Sequence, residues 1–428
     1  MPYLETRLGT NDTQVLFRIG GDSASLARMI RLTCAAAIAV TLAAGTARAQ
    51  PASGTEPSGE ATPTPDSGTP PPASEPAADD DGEEGESLVE SDVQPTLSVV
   101  RTDDIEVRVG GFVQVHAAPY VGDDSLVENG DPATRAGFRL RRSRVGFEGR
   151  FKQPLRIELV IDLLEADEDE GSVSDAKLHY DWREELRFSL GVGKVAFSRG
   201  SLESSRRLPV IERPLVISEI APDRRLGANL EGALLGGNLV YVAGLANGSE
   251  GFADGNEYGG FLAGGRLQYF VLGEPKGLDV RDGVAVGASG FYEDAPATNG
   301  FALSADVTAN LANATLVVEG LCDTRKPDDS PDVAPTIADD ITRCGGYVTG
   351  LYDIPGLPLP LEPAVRVELL DDNTDVDDAG DAWQVSGGLN SMLIDPNLRA
   401  QLHYTSRIER KGPNRSNDSL VLALTGVF

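Results

Sequence analysis

The sequence predicts an all-β fold, a transmembrane antiparallel β-barrel of about sixteen strands. Three observations support this fold class: an alternating apolar segment at the C-terminus, an export signal near the N-terminus, and repeated strand and turn patterns between them. Within residues 419–428, Leu420, Leu422 and Leu424 share one face of an extended segment that ends on Phe428. A soluble domain would expose this segment as an apolar edge, whereas a closed barrel pairs it on both sides and turns its leucines to lipid.

The N-terminal region has the features of a secretory signal. A positive region with Arg28 and Arg31 precedes a short apolar stretch, and Ala47-Arg48-Ala49 fits the small-residue cleavage rule. Residues 1–49 are therefore predicted to be a signal peptide, with Met29 as the expected true start. The apolar stretch is too short to remain as a membrane-spanning helix.

Residues 50–96 differ in composition from the rest of the chain. They are rich in Pro, Ser, Gly and Ala, and residues 51–95 contain twelve acidic side chains and no Lys or Arg. This composition buries too little apolar surface to fold, so we expect a disordered linker in the periplasm, with an end-to-end distance of roughly 35–40 Å. The formal net charge of −30 is concentrated there and in acidic runs at 165–170, 328–340 and 371–381, which we interpret as solvated loops.

Residues 97–428 are predicted to form the barrel. Candidate strands begin near residues 105, 137, 154, 173, 185, 224, 237, 257, 281, 299, 313, 341, 359, 381, 396 and 416. Short turns alternate with long loops, and this places the long connections on one side, as outer-membrane barrels require. The exception is residues 273–280, which are expected to form a longer linker on the short-turn side.

The connection from residue 198 to about residue 223 is too apolar to lie in water. Its large apolar side chains are Leu208, Val210, Ile211, Leu215, Val216 and Ile217. We therefore predict that this third loop folds inward against the barrel wall and constricts the pore.

Two cysteines, Cys322 and Cys344, remain in the predicted mature chain, because Cys34 lies inside the signal peptide. They flank a long loop from opposite strands of a predicted hairpin. Export to an oxidising compartment favours a disulfide between them, and two free thiols are the alternative.

Residues 138–149 (FRLRRSRVGFEG) resemble the signature second strand of phosphate-selective porins of the O and P type. Similar segments follow in order at 175–180, 190–198, 204–213 and 224–229. The resemblance is concentrated between residues 105 and 250, and beyond that it rests on strand rhythm and the C-terminus. It implies a homotrimer of sixteen-stranded barrels, an inward third loop, and arginines and lysines that guide small inorganic anions such as phosphate or polyphosphate.

The candidate anion-binding side chains lie mainly in the second barrel strand and the third loop. Alternation directs Arg139 and Arg141 into the lumen, and a phase slip near Arg142, interpreted as a bulge, directs Arg144 and Arg150 there as well. The predicted set is Arg139, Arg141, Arg144, Arg150, Lys194, Arg206, Arg207, Arg213, Arg224 and Arg225. A guanidinium offers a planar, permanently charged fork of donors that suits phosphate.

The same arginines also fit a lumen wall without a dedicated site. Acidic side chains that could pair with them are Glu148, Glu158, Asp162, Asp175, Glu203 and Glu212. The acidic outer loops favour a general or weakly cation-selective porin. A third hypothesis is an outer-membrane anchor whose acidic leader binds periplasmic partners, and deleting residues 51–95 separates this hypothesis from a porin.

Metal binding and catalysis have little support in the sequence. The acidic run 371–378 lacks the glycine and the closing glutamate of a calcium loop, so no metal site is predicted; instead we expect solvated loops near outer-membrane lipid and lipopolysaccharide. His116, His179 and His403 are isolated in predicted strands, where a lumen wall is the expected location. We predict no enzyme, no cofactor and no nucleic-acid partner, and the outer membrane of a Gram-negative bacterium as the location.

Overall fold

The computed structural model describes residues 88–89, 91–125, 133, 135–152, 154–164, 173–248, 255–256, 259–328, 337–378, 380–411, 413 and 415–428. The predicted signal peptide and most of the predicted linker lie outside these residues.

The described residues form one antiparallel sheet that closes on itself. Its strands are β1 (Leu97–Arg101), β2 (Ile105–Val121), β3 (Gly137–Phe151), β4 (Leu155–Asp162), β5 (Val173–Arg183), β6 (Leu186–Gly193), β7 (Arg225–Leu234), β8 (Leu239–Asn247), β9 (Phe261–Lys276), β10 (Asp279–Asp294), β11 (Thr298–Leu311), β12 (Ala314–Pro327), β13 (Ile341–Tyr352), β14 (Glu362–Asp371), β15 (Ala382–Ile394), β16 (Leu398–Glu409) and β17 (Ser419–Val427). Strands β2 to β17 pair in chain order, and β17 pairs with β2. The predicted sixteen-stranded barrel is confirmed, and each barrel strand begins within about four residues of its predicted position.

The first and last segments of the barrel share one edge of β2. Strand β17 pairs with β2 as far as Val427 opposite Phe112, and the short β1 pairs with the part of β2 that precedes this point. The terminal Phe428 exchanges both backbone hydrogen bonds with Gly111, at 2.9 and 3.0 Å. The C-terminal strand that the sequence alternation predicted is therefore paired with β2 up to Phe428, the last residue.

Alternation along the strands separates a lipid face from a lumen face. In β17, Val421, Ala423 and Thr425 are buried, whereas Leu422 and Leu424 are exposed on the outer surface. Apolar side chains remain favourable on that surface because it faces hydrocarbon rather than water. Among the described residues, no helix has the length and apolar character that crossing a membrane requires.

The predicted linker at 273–280 is wrong. Strand β9 continues to Lys276 and β10 begins at Asp279, so the connection is a tight turn. The pairing shifts register near Gly283, and Gly273 has a φ of +89°. A Cβ on Gly273 would lie 2.3 Å from a backbone oxygen of β10, so a side chain there would clash. The glycines thus bend the hairpin through a bulge without ending the strands.

Cys322 and Cys344 lie directly opposite each other in β12 and β13 and form a disulfide. The bond joins the two strands close to the long loop that connects them.

Replacing both Cys322 and Cys344 by Ser should lower the free energy of unfolding by about 3 kcal/mol, because the unfolded chain loses a closed loop. Urea titration in detergent micelles measures this change. A reducing agent should destabilise the unaltered protein by the same amount and leave the variant unchanged; an unaltered protein that is insensitive to reduction would contradict the prediction.

Candidate functional site

The third loop, residues 194–224 between β6 and β7, makes its contacts inside the barrel. The backbone N–H of Arg199 donates to Glu319 Oε1 of β12 at 2.8 Å. Further along the loop, the carbonyl of Leu208 accepts from Gln401 Nε2 of β16 at 3.1 Å. The loop is therefore hydrogen-bonded to inward side chains of strands far from its own ends.

Two short helices, α1 (Arg199–Leu202) and α2 (Leu215–Ile220), lie within the third loop. The apolar residues of the loop are buried: Phe197, Leu202, Leu208, Val210, Ile211, Leu215, Val216, Ile217 and Ile220. Some of them form an apolar cluster with Phe291 and Leu321 of the wall. The backbone N–H of Leu215 donates to Glu368 at 2.5 Å, and this contact fixes the start of α2 against β14.

The end of the acidic leader also lies inside the barrel. We call residues 88–89 and 91–95 the lumenal segment. Val93 packs against Phe112 and Val160, whereas Leu88 and Val89 pack in a separate apolar group. That apolar group includes third-loop and β7–β10 residues, so the segment crosses between opposite parts of the wall. The linker was predicted to extend to residue 96; among its described residues, Leu88, Val89 and Val93 are buried apolar side chains.

The Asp92 carboxylate is the centre of a cationic cluster inside the barrel. Asp92 is 0% exposed, and its carboxylate accepts a hydrogen bond from Lys194 Nζ at 3.0 Å. Arg224 donates to it at 2.9 Å, and Arg144 of β3 contacts the same carboxylate. The backbone N–H of Ser205 adds a further donor at 2.8 Å. Arg144, Lys194 and Arg224, far apart in sequence, thus converge on one anion.

The charges in this cluster depend on each other. Burial opposes ionisation of Asp92, but Lys194, Arg144, Arg224 and Arg213 outweigh burial and hold the pKa of Asp92 well below its ordinary value. Burial also lowers the pKa of Lys194 to about 8, a shift that Asp92 opposes. Lys194 is therefore charged at neutral pH and titrates at mildly alkaline pH.

A second cluster surrounds the Glu212 carboxylate of the third loop. Arg141 Nε donates to it at 2.8 Å, Arg142 at 2.9 Å and Arg139 at 3.3 Å. Burial raises the pKa of Glu212, but Arg142 and Arg141 outweigh that effect and hold the pKa below its ordinary value. Three guanidiniums around one carboxylate leave an excess of positive charge on this part of the wall.

A bulge in β3 brings Arg142 into this second cluster. The pairing of β3 with β2 shifts register between Gln114 and Val115, at the phase slip that the sequence predicted. Arg142 and Arg144 are both buried and share the inward face. The two clusters are therefore neighbours, since Arg142 and Arg144 lie about 7 Å apart along the strand.

The other predicted cations lie elsewhere in the lumen or on the loop. Arg150 pairs with Glu148 at 2.6 Å, and Arg225 pairs with Glu293 at 3.2 Å on another part of the wall. The remaining third-loop arginines are Arg206, which contacts Gln94 of the lumenal segment, Arg207, which is exposed, and Arg213, which donates to loop carbonyls. Arg213 thus links the second half of the third loop to the carbonyls of Gly200 and Glu203 in its first half, near Asp92.

Sequence reasoning missed Asp92 and Arg142 as members of the site. Arg142 was obscured because the bulge reverses the alternation at that point. Asp92 was obscured by the acidic composition around it, although Leu88, Val89 and Val93 are a local signal for burial.

The histidines line the wall, as expected. His179 lies 3.1 Å from Glu158, His403 lies 2.8 Å from Asn390, and His116 contacts Arg139. In the described part of the chain, no group of three or more His, Cys, Asp or Glu side chains has a geometry that could hold a metal ion.

Comparison with known proteins agrees with this geometry. Residues 118–271, which include β3, the third loop and the Glu212 cluster but not Asp92, match the model of the family described as phosphate-selective porin O and P. Over these residues the chain is similar to members of this family. The porin is an outer-membrane channel, and the family and fold are those of a passive channel rather than an enzyme. No curated protein matches the chain.

Solved structures similar to the porin share its fold at low sequence identity. An anion-selective porin from Comamonas acidovorans is 13% identical with a TM-score of 0.52, covering 76% of this chain and 100% of that one. The outer membrane protein OmpT of Vibrio cholerae is 13% identical with a TM-score of 0.52, covering 77% and 99%. The channel DcaP of Acinetobacter baumannii is 13% identical with a TM-score of 0.51, covering 78% and 100%.

Replacing Glu212 by Gln should make the porin more anion-selective, because three guanidiniums lose their shared counter-charge. Removing one charge close to the ion path should change the chloride-to-potassium permeability ratio by roughly three- to tenfold. The reversal potential under a KCl gradient in a planar bilayer measures this ratio. Glu274→Gln, at an exposed position, is the matched control; equal shifts in both variants would contradict the prediction.

Raising the pH through about 8 should reduce anion selectivity, because Lys194 loses its positive charge. The charged groups that face Lys194 are Asp92, Arg213, Arg224 and Asp175. The reversal potential between pH 6 and 9 measures the effect. Lys194→Arg should flatten the profile, and a profile unchanged in that variant would assign the titration to another group.

Proposed function

We propose that the porin passes small anions, with inorganic phosphate or polyphosphate as the preferred cargo, through a lumen constricted by the third loop. The observation that carries the proposal is the convergence of Arg144, Lys194 and Arg224 on a single carboxylate. Groups that already surround one oxyanion provide donors and charge for another. Phosphate brings more acceptor oxygens than a carboxylate, and guanidinium forks bind such oxygens in pairs.

The second cluster extends this cationic surface along β3. Arg139, Arg141 and Arg142 follow the strand from its long-loop end toward Arg144. An anion that enters past these guanidiniums would meet positive charge continuously until it reaches the Asp92 cluster. Successive sites of moderate affinity favour conduction, because an ion must bind well enough to enter and weakly enough to leave.

The comparisons support the anion and the assembly in this proposal. The family description names phosphate selectivity, and the similar porin from Comamonas acidovorans is described as anion-selective. A structure of Vibrio cholerae OmpT is described as a trimer form. We extend these properties to the present chain: a homotrimer whose short-turn end, with the leader, faces the periplasm. Contact of the long acidic loops with lipopolysaccharide stays a prediction.

Replacing Arg144 and Lys194 together by Gln should abolish most of the anion preference, because the charge of Arg224 then only balances that of Asp92 and the cluster loses its excess positive charge. We expect the chloride-to-potassium permeability ratio to fall by about tenfold and the phosphate concentration that half-blocks chloride current to rise by at least about tenfold. Single-channel recording under a KCl gradient, with phosphate titrated in, measures both quantities.

A matched control is the double variant Arg281→Gln and Lys152→Gln, which removes the same two charge types at exposed positions of the short-turn end. This control should keep the selectivity of the unaltered protein. A large conductance that is indifferent to phosphate in the unaltered protein would contradict the proposal and indicate a general porin, in which the paired charges only line the wall.

A further inference from the structure

We propose that the lumenal segment is a tethered ligand of the pore's own cationic cluster, and that permeating anions compete with Asp92 for Arg144, Lys194 and Arg224. The inference rests on the proposed function and adds that the lumenal segment itself occupies part of the anion path. In this state Asp92 occupies the cluster, and the lumenal segment fills part of the lumen.

The contacts of the lumenal segment are specific rather than those of a passing linker. Beyond its ionic partners, Asp92 accepts from the backbone N–H of Ser205 at 2.8 Å, and its own carbonyl accepts from Ser204 Oγ at 3.2 Å. Two residues after Asp92, the side-chain oxygen of Gln94 accepts a hydrogen bond from Arg206. Side chain and backbone are therefore both recognised by the third loop.

The barrel wall is shaped to receive the lumenal segment. A Cβ on Gly110 would lie 2.8 Å from the Cα of Pro95, and a Cβ on Gly146 would lie 2.7 Å from a methyl group of Val93. Any larger residue at either position would push the segment away from the wall. Close approach of the backbone is thus built into β2 and β3 at the two places where the segment passes.

Release of the lumenal segment requires little structural change. None of its described residues belongs to a helix or a strand, so it is held by side-chain and single backbone contacts. Three of these contacts are ionic, from Arg144, Lys194 and Arg224 to Asp92, and a free oxyanion can replace these three. The apparent affinity for a permeating anion is then the intrinsic affinity multiplied by the fraction of pores in which the segment is displaced.

The position of the segment can be read from the reactivity of a cysteine at residue 89. Val89 is 8% exposed, and Cys322 and Cys344 are joined in a disulfide. With Cys34 replaced by Ser, the Val89→Cys variant carries one free thiol. A water-soluble methanethiosulfonate reagent, applied to the full chain in detergent or in vesicles, measures its accessibility.

The labelling rate should be low in Val89→Cys and at least about tenfold higher when Asp92→Asn is added, because the charge that holds the segment is lost. Inorganic phosphate should accelerate labelling of Val89→Cys more than NaCl of equal ionic strength, and should add little in the double variant. Asp104→Asn, at a side chain that is 79% exposed, removes the same charge from the same end and should leave labelling unchanged.

Equal labelling rates with and without Asp92→Asn would overturn the inference, as would phosphate acceleration no greater than that of NaCl. The phosphate titration needs only the Val89→Cys variant, so a folding defect of Asp92→Asn leaves a decisive measurement. The reversal potential tests the anion path separately. A pore without anion preference would overturn the proposed function, even if labelling showed that the segment is held by Asp92.

Discussion

One buried charge, the carboxylate of Asp92, holds together the parts of the lumen. Its partners come from β3 through Arg144, from the start of the third loop through Lys194, and from the end of that loop through Arg224. A buried charge that loses its partner costs roughly 3–5 kcal/mol, so Asp92 favours structures that keep these cations within reach. Arg144 also pairs with Asp162, and Arg224 with Asp175, which extends the network along the wall. The leader, the wall and both ends of the third loop are therefore positioned by one shared requirement.

The same requirement applies throughout the interior, because the barrel buries polar side chains and exposes apolar ones. Arg266 with Asp306 and Arg366 with Glu368 are further buried pairs, at 2.6 and 2.9 Å. Where side chains are buried and the local dielectric is low, an unpaired charge is costly and a paired one is held firmly. The path of the third loop thus follows from its carboxylates and carbonyls finding partners on the wall, with its apolar residues gathered in the remaining space.

The alternation of apolar and polar residues predicted the strands of the barrel, because a barrel strand in a membrane has one face toward lipid and one toward the lumen. It could not predict which charges meet. Glu212 and Arg141 are 71 residues apart, and Asp92 and Lys194 are 102 apart. A single bulge reverses the inward face of β3 at Arg142, and the average composition of residues 50–96 conceals three apolar anchors. Local patterns therefore identified candidate cations but not the carboxylate at their centre.

The acidic leader and the cationic cluster carry opposite charges, as the proposed competition between Asp92 and permeating anions requires. The net charge is −30, and residues 51–95 contain twelve acids, of which Asp92 lies in the lumen. A carboxylate held in the same chain acts at an effective concentration in the millimolar range, so Asp92 competes strongly with a free anion for the cluster. Apolar neighbours distinguish Asp92 from the other acids, since Leu88, Val89 and Val93 anchor its segment in the lumen. An incoming anion has to exceed this internal concentration before it occupies the cluster, and the pore then responds to anion supply through its own leader.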